Sequence, residues 1–205
     1  MVKLIILTFD GTVVDSKEVS VAIYNKLADK YGTQKVDDIR NIQRLPLLDR
    51  FKALHIPLYK LPLFIGDFTK LYKHSLKGIK MVKGMRELLL GLKKSGNQLA
   101  IVSSNSENNI SDYFREAQLE VIDTIICCTS LLGKEKYIKK VLAIHKVQPS
   151  EAIFVGDELR DIKACKKLGI PIIWVDWGYD LKEMIIEEPP DYIAHSPQDI
   201  LEVLN

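Results

Sequence analysis

The chain has 205 residues, 47% of them hydrophobic and 27% charged, with a formal net charge of only +2. That balance describes a globular protein of one large domain, or one domain with a small insert, and excludes a disordered chain. Charges of both signs are interleaved, so no basic stripe marks a nucleic-acid surface, and the longest apolar runs fall far short of the roughly 20 residues that span a bilayer.

Residues 2–9 are apolar or β-branched over almost their whole length, which predicts a strand buried on both faces. The strand runs into the turn signal Asp10-Gly11-Thr12. Val19, Ile23, Leu27 and Tyr31 then recur at helical spacing up to Gly32. From Asp37 to Ile79 the pattern stays helical but is broken by Pro46, Pro57, Pro62 and Gly78. Residues 16–79 therefore read as a small all-helical insert, and 1–15 with 80–205 as the domain it interrupts.

After Gly84 helix and strand alternate. Helices are expected over 85–95, 105–116, 134–145, 161–168, 181–187 and 197–204, and strands over 98–102, 124–128, 152–155, 172–175 and 192–194. Strands separated by helices of this length imply right-handed crossovers and a mostly parallel sheet covered on both faces, a three-layer αβα core. Ligands of such sheets bind at the carboxyl ends of the strands. No leader pattern precedes the first strand, and the cysteines, Cys127, Cys128 and Cys165, lack metal-ligand spacing. A reduced, cytoplasmic protein is expected.

Four polar segments fall at strand ends: Thr8 to Ser16, Ser103-Ser104-Asn105, Lys134, and Gly156-Asp157-Glu158-Leu159-Arg160-Asp161. Asp10, Asp157, Glu158 and Asp161 would be crowded carboxylates, a crowding that a divalent cation relieves. Oxygen donors without His or Cys favour Mg²⁺ over zinc. Ser103, the amides after it, and Lys134 supply donors for an anion with several oxygens. A hard cation beside an anion cradle is the equipment of phosphoryl transfer. Glu158 and Arg160 read as a surface pair, and Trp174, Trp177, Tyr179 and His195 as packing or surface residues.

These segments, in this order, resemble the haloacid dehalogenase-like (HAD) hydrolases, and the phosphoglycolate-phosphatase-like branch in particular. The family pattern is a strand ending Asp-x-Asp-Gly-Thr, a strand ending in Ser or Thr, a Lys, and Gly-Asp-x-x-x-Asp. The resemblance implies a Rossmann-like core with a helical cap at 16–79 that closes over the site. It implies a Mg²⁺-dependent phosphomonoesterase acting on a small phosphorylated metabolite, as a monomer or homodimer. Asp10 matches the general acid, its carbonyl also a metal ligand. Ser103, with Ser104 and Asn105, matches the phosphate cradle. Lys134 matches the cation that steadies phosphate, and Asp157 and Asp161 match the metal carboxylates. The chain departs from the pattern at one position: Thr8 stands where the family carries its nucleophilic Asp. A neutral hydroxyl is a much poorer nucleophile, so a catalytically silent phosphate-ligand-binding or regulatory protein of this fold is the alternative to an enzyme. Among residues 16–79, Arg44, Arg50 and Lys52 are the candidates for reading the substrate.

Overall fold

The computed structural model describes residues 2–130 and 132–204. Met1, Leu131 and Asn205, which the expected domain bounds include, lie outside them. The apolar segments identified above become the strands of one parallel sheet: β1 (Leu4–Leu7), β4 (Gln98–Ser103), β5 (Thr124–Cys127), β6 (Ala152–Gly156), β7 (Ile172–Val175) and β8 (Tyr192–Ala194). Their order across the sheet is β5-β4-β1-β6-β7-β8, every pairing parallel. β1 lies between β4 and β6, with Leu4 opposite both Gln98 and Ala152. The chain winds outward through β4 and β5, then crosses back past β1 to β6, so the winding reverses beside β1.

Period-two alternation divides β1 between two cores. Ile5 and Leu7 pack with α5 (Met85–Lys94), α6 (Glu107–Glu116) and α9 (Pro197–Leu204), whereas Leu4 and Ile6 face α7 (Lys134–His145) and α8 (Leu159–Leu168). All four side chains are fully buried, as the unbroken apolar run requires. The three-layer αβα architecture follows.

Residues 17–78 form α1 (Lys17–Tyr31), α2 (Ile39–Gln43), α3 (Leu47–Ala53) and α4 (Leu61–Ser75), with 3-10 turns after α3 and at the end of α4. Leu61–Ser75 has Pro62 in its first turn, where no backbone donor is lost. Tyr24 and Tyr31 of α1 pack on Phe64 of α4. A short antiparallel pair, β2 (Val14–Asp15) with β3 (Lys80–Met81), joins this segment to the sheet; the sequence pattern gave no sign of it. Two residues are too few for any alternation to show. Other boundaries move slightly: α6 starts at Glu107 because Ser106 accepts from the Asn109 amide as its cap. The 181–187 helix is a 3-10 turn, Lys182–Ile185. Among the described residues, no helix is long and apolar enough to cross a membrane.

Candidate active site

β1 ends at Leu7, and Thr8 and Asp10 follow it at the carboxyl edge of the sheet, beside Ser103 at the end of β4 and Asp157 just past β6. The turn between them needs Gly11, whose φ is +77°. A β-carbon there would stand 2.1 Å from Asp157 Oδ2, so this glycine serves both the turn and the close approach of the two loops.

Thr8 is buried, its Oγ1 2.6 Å from Thr12 Oγ1 and 3.1 Å from Asp157 Oδ1. Thr12 Oγ1 is 3.2 Å from the same carboxylate oxygen. With one proton per hydroxyl, Thr8 donating to Thr12 and Thr12 to Asp157 satisfies the set. The Tyr179 amide donates to Asp157 Oδ2 at 2.8 Å, and the Trp174 indole to the Asp157 carbonyl at 2.8 Å. Burial, with Glu158 and Asp161 nearby, pushes the Asp157 carboxyl well above the usual carboxylate range. Its carboxylate meets two hydroxyls and one amide, while the nearby ammonium of Lys134 is taken up by Asp161 at 2.5 Å.

Asp10 points its carboxylate the other way. Oδ1 accepts from Ser16 Oγ at 2.7 Å and from the Tyr72 hydroxyl, and Oδ2 from Asn105 Nδ2 at 2.9 Å. Burial raises its pKa against the opposing pull of these three donors. Asn105 is held in turn by its backbone N–H, which donates to Ser103 Oγ at 3.1 Å. Lys134 begins α7, lies buried, and carries its ammonium 5.2 Å from the centre of the Phe154 ring.

Thr8, Asp10, Ser103, Ser104, Asn105 and Lys134 thus line one cavity of about 300 Å³. Asp157 and Asp161 stand behind its wall, both almost wholly buried. Instead of a bare cluster of four carboxylates, each acidic group has its own donors, and no grouping of three His, Cys, Asp or Glu that would hold a metal occurs among the described residues. Hard oxygen donors are nevertheless present in Asp157 and the Thr8 hydroxyl, and Asp157 is a buried carboxyl whose partners are neutral. That set fits a Mg²⁺ ion held jointly with a phosphate, since Mg²⁺ is often bound through one carboxylate plus substrate oxygens.

Glu158 and Arg160 are not a surface pair. Their side chains are only 13% and 23% exposed, they line the cavity, and Arg160 Nη1 also donates to Ser104 Oγ at 3.1 Å. Burial disfavours the ionised Glu158, but Arg160, Arg50 and Lys134 outweigh it and hold its pKa low. Tyr179 is more than packing: its hydroxyl lies 3.0 Å from Ser16 Oγ and 2.8 Å from Ser20 Oγ, on the cavity wall. Arg50 also lines the cavity, bound to Asp180 and 3.7 Å from Glu158, whereas Arg44 and Lys52 are exposed and do not. Tyr72 carries no motif and went unnoticed in the sequence; only the folded chain brings it to Asp10, 62 positions away.

A parallel sheet whose strand-end polar residues gather around one cavity at the switch point is the frame of an open α/β ligand site. The haloacid dehalogenase-like hydrolase family model matches residues 5–175, and the chain belongs to that family. It is 28% identical to the phosphoglycolate phosphatase of Synechococcus elongatus, over 98% of this chain and 96% of that protein. It is 26% identical to the pyrophosphatase PpaX of Bacillus velezensis, over 97% and 94% respectively. Among solved structures, a haloacid dehalogenase-like family protein of Streptococcus pneumoniae superposes with a TM-score of 0.84 at 22% identity, covering 100% of this chain and 99% of that one. The sequence-level resemblance to the phosphoglycolate-phosphatase-like branch thereby holds.

Proposed function

We propose that this chain is a phosphatase-lineage protein that takes a small phosphomonoester into the cavity at the β1–β4 edge, and that Thr8 makes recognition its working activity and rapid turnover not. In this reading 1–15 and 80–205 are the core domain and 16–79 its cap, brought onto the site by Tyr72 and Arg50. Ser103, Ser104, Asn105 and Lys134 receive the phosphoryl oxygens. Asp157, the Asp10 carbonyl and the Thr8 hydroxyl would hold Mg²⁺, with Asp161 positioning Lys134. When bound, the ion would neutralise phosphoryl charge. The free thiols Cys127, Cys128 and Cys165 accord with a cytoplasmic setting.

The observation that supports the proposal is the buried Thr8 Oγ1, 3.1 Å from Asp157 at the end of β1, where the resemblance leads one to expect a nucleophilic Asp. A threonine that did attack phosphorus would become a phosphate monoester, a bond whose uncatalysed hydrolysis is among the slowest known and far slower than that of an acyl phosphate. Mg²⁺-dependent phosphate release from a panel of esters tests this, comparing the native chain with Thr8→Asp and Asp157→Ala. Thr8→Asp should exceed the native chain by at least about a hundredfold. Native turnover equal to Thr8→Asp, abolished in Asp157→Ala, would overturn it.

One observation favours a second reading, slow hydrolysis by water without a covalent intermediate. Asp10 keeps its three donors and a raised proton affinity, as a general acid–base requires. Residual native turnover that disappears in Asp10→Asn would select this reading.

A further inference from the structure

The cavity continues from the phosphate donors into the helical segment, and its two ends differ in chemistry. At the core end stand Thr8, Asp10, Ser103, Asn105 and Lys134. At the far end most of the lining is aliphatic or Phe, including Val21, Ile39, Ile42, Phe51 and Phe68. Among the described residues that line it from positions 17–78, Arg50 is the only cation, and Asp180 and Glu158 already hold it. A second anionic group at the far end would therefore face mostly hydrocarbon, neutral polar groups such as Gln43 and Thr69, and a committed guanidinium; Arg160, which also lines the cavity, is bound to Glu158 and Ser104. Burying it there would forfeit hydration without return.

A volume near 300 Å³ lies at the small end of the range of small-molecule sites, roughly 300–1,000 Å³. It suits a phosphate that carries a small body, one ring or one short branched chain. We propose that the site selects a monophosphate ester with an apolar carbon body, a short branched alkyl or aryl monophosphate. This rests on the reading of the core end as a phosphate site and adds the class of molecule attached to the phosphate. Apolar pocket walls with a few convergent polar groups are the usual build of small-molecule sites. Each methylene buried there raises affinity roughly fourfold.

Calorimetric titration of the native chain in Mg²⁺ with inorganic phosphate, phosphoglycolate, 3-methylbutyl phosphate and phenyl phosphate tests the proposal. The two apolar esters should bind at least about tenfold more tightly than the other two ligands. In Phe68→Gln, or in the isosteric Val21→Thr should the first fail to fold, the affinity ratio of ester to inorganic phosphate should fall severalfold. Equal affinity for all four ligands, or preference for phosphoglycolate, overturns the apolar-body inference and leaves the phosphate site standing. Absence of binding by inorganic phosphate and every ester overturns both.

Discussion

Asp157 carries most of the consequence of a threonine at position 8. Where a second carboxylate would share a cation with it, Asp157 instead sits over two hydroxyls and the Tyr179 amide. Its position depends on two close backbone approaches. A β-carbon on Gly178 would stand 2.1 Å from Asp157 Cβ, whereas Gly32 has open space around it and only its φ of +66° to defend. The two substitutions to Ala therefore separate crowding from backbone strain. Gly32→Ala should cost about 1 kcal/mol in urea denaturation, with phosphate titration unaltered. Gly178→Ala should cost about 1–3 kcal/mol and also weaken phosphate binding in Mg²⁺, because the colliding atom belongs to the site. Native-like phosphate affinity in Gly178→Ala would show that Asp157 is not held by this packing.

Between elements, the decisive contact joins α3 to the loop after β7. Arg50 donates to the Leu45 carbonyl at 2.8 Å and to Asp180, with side chains of Arg50 and Asp180 only 10% and 4% exposed. Asp180 in turn accepts from the Leu159 amide at the start of α8. Removing one member of a buried pair leaves the other charge stranded, which costs about 3–5 kcal/mol. Arg50→Ala should lose stability on that scale, and hydrogen exchange should accelerate first in α3 and α4 and only later in β1. Arg50→Lys should not restore it, since a single ammonium cannot span the same acceptors. Uniform acceleration through β1 would place the pair in global folding and not in the docking of the helical segment.

This contact also shows where sequence reading stops. The strands are legible because they are apolar on both faces, and Asp10, Ser103 and Asp157 because a parallel sheet collects its strand ends at one edge. Lys134 is legible only through the resemblance; by itself a lysine at a helix start reads as solvated, yet it is buried against Asp161. Arg50 and Tyr72 have no local signature. Their burial is decided by Asp180 and Asp10, 130 and 62 positions away, and the broken helical pattern between Asp37 and Ile79 does not say which face turns toward the sheet.

For the molecule as a whole, the arrangement predicts how its ligands help one another. Asp157 is a buried carboxyl whose oxygens already accept from the Thr12 hydroxyl and the Tyr179 amide, with the Thr8 hydroxyl 3.1 Å away. Mg²⁺ alone must displace those donors and should bind weakly. On the proposed reading, phosphate alone would enter beside Asp10 and Glu158 and meet opposing charge. Bound together, each neutralises what opposes the other. That is a coupling free energy, necessarily reciprocal, and typically about 1–3 kcal/mol. Millimolar Mg²⁺ or phosphate alone should therefore move the unfolding midpoint little, and the two together by more than the sum of the separate shifts. In Thr8→Asp a second carboxylate faces the same space, so Mg²⁺ alone should stabilise that variant once it fills the site. The same added charge should make phosphate alone bind worse than in the native chain. Thermal unfolding of both chains, with each ligand and with the pair, measures all of this in one series. Additive shifts in the native protein would mean that cation and phosphate do not share the site.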